Sequence, residues 1–447
     1  MKKTVTQLVK GLCVLSIIAS PIISNAQLKV SGLLFGDYAY KTQADSNSSK
    51  RKVTSEYNQL PKNYSGFNIR RAYLNFDYDI NSKIHVEAVL AHETTTPTGP
   101  AEVAPDNNNI MFLKYANVRI KQVFTGTDLI LGQQRTPTFC TSGGSEPLWE
   151  YRPIERTITD FNRLASSTDL GVGLEGKYLN NNLGYNILYG NNQGAKALSN
   201  GVSAANSPFT TASGAPRLYM DVWYKFFNRL EVQVYYDYSC YNYNWDSTKT
   251  KFQTTSSTIK PMIAWIQPGL FTIGVEYYMQ TNTYAANDIN GNTSIATSSA
   301  QAVSKSTATL ANLRSTTPTG LSFWGHVVIL KDNDTSKISK RVGMMQDGQK
   351  GGILSLFARY DSYNPDATMT DALASNKFNR GKYQSLAAFY TIGLDWEPWK
   401  AVHIMPNIWF EGFTQKYDGS VLSTVAGYQA QKNSSDMVLR LSGYYNF

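Results

Sequence analysis

The sequence has little cysteine, little histidine and no long apolar run after its first residues. It contains 3 cysteines and 4 histidines in 447 residues. The histidines are scattered without metal-ligand spacing, at His85, His92, His326 and His403. No run of about 18 apolar residues follows Gln27, so no transmembrane helix is predicted. These absences argue against a zinc-binding module and a helical membrane protein, and the sequence indicates no cofactor.

Charge is also scarce, because charged residues make up 17% of the chain, against about a quarter in ordinary globular domains. The formal net charge is +9, but no Lys/Arg-rich run or nucleic-acid motif accompanies it, so nucleic acid is not an expected partner. Tyrosine and glycine are abundant instead, at 29 and 32 residues. This composition suits many strands with aromatic girdles and polar loops. A secreted soluble β-sandwich remains the alternative on composition alone.

Residues 1–26 have the pattern of a secretory signal peptide. A basic start at residues 2–3 is followed by an apolar middle at 11–23 and by small residues at 24–26 that suit cleavage. We therefore expect an exported chain. Cys140 and Cys240 could then form one disulfide in an oxidising compartment, although their spacing does not argue for it.

About sixteen segments have the length and composition of membrane-crossing strands. They lie at residues 28–40, 67–79, 83–93, 110–121, 127–135, 169–179, 183–190, 217–226, 230–241, 257–266, 270–281, 321–330, 352–363, 385–396, 401–413 and 437–447. A membrane protein without spanning helices must close its backbone hydrogen bonds as a barrel. The predicted fold class is therefore all-β, an antiparallel transmembrane β-barrel of about 16 strands that forms one domain over residues 27–447.

The connections between these segments alternate between short and long. The short ones carry turn-forming residues, at 80–82, 180–182, 227–229, 267–269 and 397–400. The long ones are rich in Ser, Thr, Asn and Gly, at 41–66, 94–109, 136–168, 191–216, 282–320 and 414–436. Short periplasmic turns with long extracellular loops are typical of outer-membrane barrels. Residues 331–351 are the exception, because they are long where a short turn is due, which indicates an insertion or a hidden hairpin.

Alternation within the strands predicts which side chains face the interior. A Lys or Arg that faces lipid at the bilayer centre costs roughly 2–4 kcal/mol, so each strand should turn its charges inward. On the final segment, Arg440 and Ser442 share one face, and Leu439 and Leu441 share the other. Segments 67–79, 230–241 and 401–413 alternate as cleanly. Segment 127–135 has no clean phase, which leaves Arg135 unassigned.

The third long connection differs from the others because it mixes charged and aromatic residues. Its charged residues include Glu146, Glu150, Arg152, Arg156 and Arg163. We expect residues 137–168 to fold into the barrel and to narrow it. An ordinary surface loop with ion pairs is the alternative.

Four stretches resemble the phosphate-selective porin O/P family and occur in the same order as in that family. They are FNIRRAYLNFDYDI (67–80), LILGQQRTPTF (129–139), EYRPIERTITDF (150–161) and DLGVGLEGKY (169–178). The resemblance covers residues 28–180 well, and afterwards it is limited to FARYDSYNPD (357–366) and the final strand. It implies a sixteen-stranded porin of a Gram-negative-type outer membrane, assembled as a homotrimer in outer-membrane lipid, whose third loop forms the constriction.

The interior charges predict a weakly selective passage, because an anion filter needs a dense inward ladder of basic side chains. The inward bases expected from the alternation are Arg71, Arg119, Lys177, Arg217, Arg359 and Arg440. The carboxylates expected beside them are Asp77, Glu87, Glu175, Glu231, Asp237, Glu276, Asp361, Asp395 and Glu411. We therefore expect a passive, water-filled channel for small polar or anionic solutes, with Arg152 and Arg156 at its narrowest point.

Two other classes of function stay open. One is a non-conducting outer-membrane barrel that serves adhesion or structure through its long loops. The other is a barrel enzyme that uses His403 with an unidentified serine. No Gly-x-Ser-x-Gly, Cys/His or paired-carboxylate motif stands out, so an enzyme is not the prediction.

Overall fold

The computed structural model of this chain describes residues 27–46, 57, 60–93, 111–138, 157–161, 166–192, 216–245, 251–285, 314–330, 352–364, 386–399, 401–413 and 435–447. Almost all of them belong to one antiparallel sheet. No helix within these ranges is long and apolar enough to cross a membrane. The predicted signal peptide at residues 1–26 lies outside the described residues, as does Cys140.

The strands follow one another along the chain. They are β1 (Gln27–Gln43), β2 (Ser65–Asp79), β3 (Ile84–Glu93), β4 (Phe112–Phe124), β5 (Thr127–Arg135), β6 (Thr168–Tyr178), β7 (Leu183–Gly190), β8 (Arg217–Phe226), β9 (Leu230–Trp245), β10 (Lys251–Gln267), β11 (Phe271–Ala285), β12 (Arg314–Thr316), β13 (Thr319–Leu330), β14 (Leu354–Asn364), β15 (Leu386–Trp399), β16 (Val402–Phe413) and β17 (Ser435–Asn446). Among the described residues there is one short helix, α1 (Ile158–Phe161), and it lies between β5 and β6.

The sheet closes on itself because β17 pairs with β1 as well as with β16. At this seam Phe447 and Gly32 exchange two backbone hydrogen bonds, at 2.9 and 3.1 Å. The short β12 and the longer β13 both pair with β11, and the pair Asn282–Thr316 continues the register of Met279–Thr319. The two strands therefore occupy one wall position, interrupted near Pro318, with a register shift beyond Asn282. The barrel therefore has 16 wall positions, which confirms the predicted fold class.

The predicted segments match the observed strands closely. The predicted bounds of β5, β7 and β8 are those of the structure. β13 pairs directly with β14, with Leu330 opposite Leu354, so no wall strand is missing between them. The predicted strand count is therefore right at this point, and residues 331–351 themselves lie outside the described residues.

Side-chain burial confirms the predicted alternation of inward and outward faces. On β17, Arg440 and Ser442 are buried in the interior, whereas Leu439 and Leu441 are exposed on the outside. On β9, Glu231, Gln233 and Asp237 are buried, whereas Val232 and Val234 are exposed. This arrangement keeps charges out of lipid and presents apolar side chains to it.

The strand without a clean phase, β5, contains a local break. Gly132 has a φ of +123°, and a Cβ atom there would lie 2.3 Å from the carbonyl oxygen of Ala116. Only glycine adopts such a conformation readily. Beyond it the consecutive residues Gln133 and Gln134 are both buried. The absence of alternation in the sequence therefore reflects a real irregularity of the backbone.

Candidate functional site in the barrel interior

The interior of the barrel is the candidate site, because the charged side chains of the wall are gathered there. Each basic side chain that the alternation places in the interior lies close to a carboxylate. The pairs are Arg71 with Glu93, Arg119 and Lys177 with Glu175, Arg217 with Asp237, Arg359 with Asp361, and Arg440 with Asp37. The described wall is therefore mixed in charge. The remaining candidates lie outside the described residues: Glu146, Glu150, Arg152, Arg156 and Arg163.

Several inward charges on β3 to β6 remain in contact with solvent. Arg119 Nη2 donates to Glu175 Oε2 at 2.8 Å, and Lys177 Nζ lies 2.8 Å from Glu175 Oε1. Arg135, which strand alternation does not assign, contacts both carboxylate oxygens of Glu87, at 2.6 and 3.2 Å. The side chains of Arg119, Arg135 and Lys177 are 26%, 33% and 38% exposed. We name Glu87, Arg119, Arg135, Glu175 and Lys177 the wet face of the interior, because their basic members keep access to solvent.

At the long-connection end of the same wall, one carboxylate compensates two cations. Glu93 Oε1 lies 2.5 Å from Arg71 Nη1 and also contacts Lys114 Nζ. The Tyr73 hydroxyl accepts a hydrogen bond from each cation, at 2.6 and 2.9 Å. None of the three charged side chains is more than 15% exposed, so solvent compensates their charges only weakly.

Two β-bulges place basic residues in the interior. Strict alternation would have turned these residues toward lipid. Arg70 is the extra residue of β2 where the pairing register with β1 shifts between Phe35 and Gly36, and Arg71 beside it also faces inward. Lys114 is the extra residue of β4 in the same way, where the pairing with β3 shifts. A bulge lets two consecutive side chains share one face of a sheet. Sequence reasoning assigned neither residue, although two adjacent arginines within a strand were a usable signal.

On β8 to β14 the inward charges are instead buried in pairs. Arg217 lies 3.6 Å from Asp237, and the two side chains are 1% and 0% exposed. Arg359 donates to both carboxylate oxygens of Asp361, at 2.8 and 2.5 Å, and is equally inaccessible. These predicted inward residues do face the interior, but they are almost completely buried there.

Described parts of the third connection contact this buried side of the wall. Lys260 on β10 donates to the backbone carbonyl of Thr138 and lies 3.2 Å from Glu276. Ile158 on α1 is fully buried against Tyr278 of β11. Both contacts are several wall positions away from β5, where the connection begins. Sequence reasoning missed Lys260, and the predicted constriction by residues 137–168 stays a prediction because most of that segment is outside the described residues.

Comparison with known proteins gives matches in fold alone. No protein-family model and no curated protein sequence matches the chain. The anion-selective porin from Comamonas acidovorans matches with a TM-score of 0.53 and 11% identity, over 95% of this chain and 100% of that one. The outer membrane channel DcaP of Acinetobacter baumannii matches with a TM-score of 0.52 and 11% identity, over 95% and 98%. Salmonella typhi OmpF, solved in complex with daunomycin, matches at 0.50 and 11%, over 94% and 97%.

The fold is that of the outer-membrane porins. At this level of identity the likeness shows the architecture. Membership of the phosphate-selective O/P family, which the sequence motifs suggest, stays a prediction.

Two of the four histidines of this porin fold contact carboxylates of the wall. His403 Nδ1 lies 2.9 Å from Asp395 Oδ1, and its ring packs on Tyr444. His85 Nε2 lies 3.4 Å from Asp77. Within the described ranges, no group of three His, Cys, Asp or Glu side chains could hold a metal ion. The described contacts of these histidines are those of wall residues, and none of them brings a nucleophile to a base.

Proposed function

We propose that this protein is a passive, water-filled channel for small polar or anionic solutes in a Gram-negative-type outer membrane. The wet face carries the proposal, because paired charges inside a closed barrel stay 26–38% exposed on their basic members. In a packed protein core, charged side chains are rare and are fully buried only as pairs, whereas these pairs keep access to solvent. The apolar outer surface, with Val232, Val234, Leu439 and Leu441 exposed, is the surface that lipid requires.

Solutes would pass along the wet face rather than through the middle of a uniform pore. The buried pairs on β8 to β14 would stabilise the wall without touching the solute. Residues 137–168 would narrow the lumen opposite the wet face, since Thr138 and Ile158 already contact the far wall. The proposed constriction charges of this segment are Arg152, Arg156, Arg163, Glu146 and Glu150.

Selectivity would be weak, with a mild preference for anions. The wet face pairs its bases with carboxylates, so it does not form the dense basic ladder that a phosphate filter needs. The phosphate selectivity of the family that the sequence resembles is therefore not carried over to this chain. The mild anion preference would arise where Arg71 and Lys114 share the single carboxylate of Glu93.

Export through residues 1–26 and assembly as a homotrimer in outer-membrane lipid complete the proposal, and both rest on the sequence pattern. Chemical cross-linking of the detergent-extracted protein should give a band at three times the monomer mass. A band at the monomer mass alone, at every cross-linker concentration, would contradict the trimer. N-terminal sequencing of the mature protein should begin at Gln27.

Single-channel recording of the refolded protein in planar bilayers tests the channel directly. We expect discrete conductance steps and a small reversal potential of anionic sign in a KCl gradient. The buried charge pairs on β8 to β14 favour the competing idea of a non-conducting structural barrel. That idea predicts no current above the lipid background, which would end the channel proposal.

The route along the wet face can be tested with a thiol reagent in a background of Cys140→Ser and Cys240→Ser. Lys177→Cys should react with a charged, water-soluble methanethiosulfonate, and the reaction should reduce the current. Arg359→Cys, buried on the far wall, should stay unreactive under the same conditions. The opposite pattern would mean that the route is on the other side of the lumen.

A further inference from the structure

The last part of the first long connection lies inside the barrel, beside the seam where β17 closes on β1. Tyr57 is 3% exposed, and its ring meets Trp409 edge-on with centroids 5.7 Å apart. It belongs to an apolar cluster with Ala39, Phe389, Trp409, Phe413 and Val438, against which Leu60 packs. These residues come from β1, β15, β16 and β17. Tyr57 and Leu60 of the first connection therefore occupy part of the interior on the seam side.

The hydroxyl group of Tyr57 sits among three charged side chains. It donates to Asp37 Oδ2 at 2.9 Å and accepts from Arg70 at 2.9 Å and Arg440 at 3.4 Å. Burial raises the pKa of Tyr57, so the hydroxyl keeps the proton that it donates to the carboxylate. Arg70 and Arg440 lie 3.5 and 3.6 Å from Asp37, which places two cations on one carboxylate.

Tyr57 covers both arginines from the lumen. Their guanidinium carbons lie 5.7 and 5.9 Å from the centroid of its ring, and the two side chains are at most 4% exposed. Lys41 fixes the connection in this position, because its Nζ donates to the backbone carbonyls of Tyr57 and Leu60 at 2.7 and 2.8 Å. Trp409 also lies over Arg440, at 4.4 Å, and Phe35 lies 5.9 Å from Arg70, but Tyr57 is the ring that contacts both arginines.

We propose that Tyr57 and Leu60 narrow the lumen on the seam side and that Tyr57 determines conductance and ion preference by covering Arg70 and Arg440. The inference rests on the proposed channel function. Removal of the Tyr57 ring would widen the lumen where the cluster now fills it. It would also expose two guanidinium groups that share one carboxylate, and this added positive field would favour anions in the passage.

The test compares Tyr57→Ala with Tyr390→Ala in single-channel recordings. Tyr390 is a matched control because it loses the same ring from β15 on the outer, lipid-facing surface. Tyr57→Ala should raise the conductance and shift the reversal potential in a KCl gradient toward that of chloride. Tyr390→Ala should change neither quantity. Tyr57→Leu, which keeps apolar volume in the cluster but still uncovers the arginines, should shift the reversal potential as well, and it serves if Tyr57→Ala does not fold.

Two failures are distinguishable. A silent wild-type protein would overturn the channel proposal and this inference with it. A conducting wild-type protein whose conductance and reversal potential are the same in Tyr57→Ala and Tyr57→Leu would overturn this inference alone, because Tyr57 would then only stabilise the seam.

Discussion

Replacing Glu93 with glutamine should destabilise the barrel strongly while leaving its shape intact. Glu93 contacts Arg71 and Lys114 at once, and its side chain is only 15% exposed. A charge pair at about 4 Å is worth about 4 kcal/mol at the effective dielectric constant of a protein surface, before desolvation is subtracted. Loss of one partner from a buried pair costs about 3–5 kcal/mol. Because glutamine has the shape of glutamate, this cost would be electrostatic rather than a packing defect.

A second substitution, Lys114→Met, should change the free energy of unfolding in opposite directions in the wild-type protein and in the Glu93→Gln variant. In the wild-type protein it removes a partner of Glu93 and should cost about 1.5–3 kcal/mol, the usual value of a charged hydrogen bond. In the Glu93→Gln background it removes a cation that would otherwise face Arg71, so it should stabilise the barrel. Guanidinium unfolding in lipid vesicles, followed by tryptophan fluorescence, measures all four corners of this double-mutant cycle. Additive effects of the two substitutions would refute the shared-carboxylate account.

Two further substitutions test the backbone and the facing of the wall. Gly132→Ala should cost at least about 1–3 kcal/mol, because a Cβ there lies 2.3 Å from the Ala116 carbonyl oxygen. The control is Gly443→Ala, which should leave the thermal unfolding midpoint near the wild-type value because nothing lies within 4 Å of the added Cβ. Equal losses of stability in Gly132→Ala and Gly443→Ala would contradict the steric argument. Val234→Arg on the outer face should cost roughly 2–4 kcal/mol in vesicles if its strand sits at the bilayer midplane. A wild-type unfolding midpoint for Val234→Arg would mean that β9 does not face lipid there.

The wall of the barrel could be predicted from the sequence because its physics is local. A strand that separates water from lipid must alternate, and β9 and β17 show this directly in their residues. Turn chemistry then marks where strands end: Asn180 and Asn181, between β6 and β7, have φ of 55° and 67°, a conformation that asparagine tolerates. The bounds of β7 and β8 could therefore be predicted from the sequence alone.

The interior could be predicted only in part, because it depends on the relation between strands. The bulges at Arg70 and Lys114 are properties of register between two strands, and the period of one strand does not reveal them. Tyr57 carried no signal at all, since its partners lie more than 300 residues away in β15 to β17 as well as in β1 and β2. Lys260 lies within the predicted segment 257–266, although β10 itself begins at Lys251. Its contact with Thr138 joins residues 122 positions apart, and strand alternation does not reveal such a contact.

The pairing of interior charges has a consequence for the kind of channel that this wall can make. A basic side chain without a counter-charge acts on a passing ion as a point charge, and its field reaches about a Debye length, about 8 Å at physiological ionic strength. Arg119 and Lys177 sit 2.8 Å from the two oxygens of Glu175, and Arg119 also lies 3.1 Å from Asp128, so two cations face two carboxylates. A passing ion therefore meets closely spaced opposite charges whose fields largely cancel beyond a few ångströms. A stronger preference for anions requires cations that exceed their carboxylates. Among the described residues this occurs at the Arg71–Lys114 and Arg70–Arg440 clusters, and both are shielded from the solvent by aromatic and polar neighbours. Weak selectivity therefore follows from the wall itself, and the substitutions that uncover these clusters are the ones that should change it.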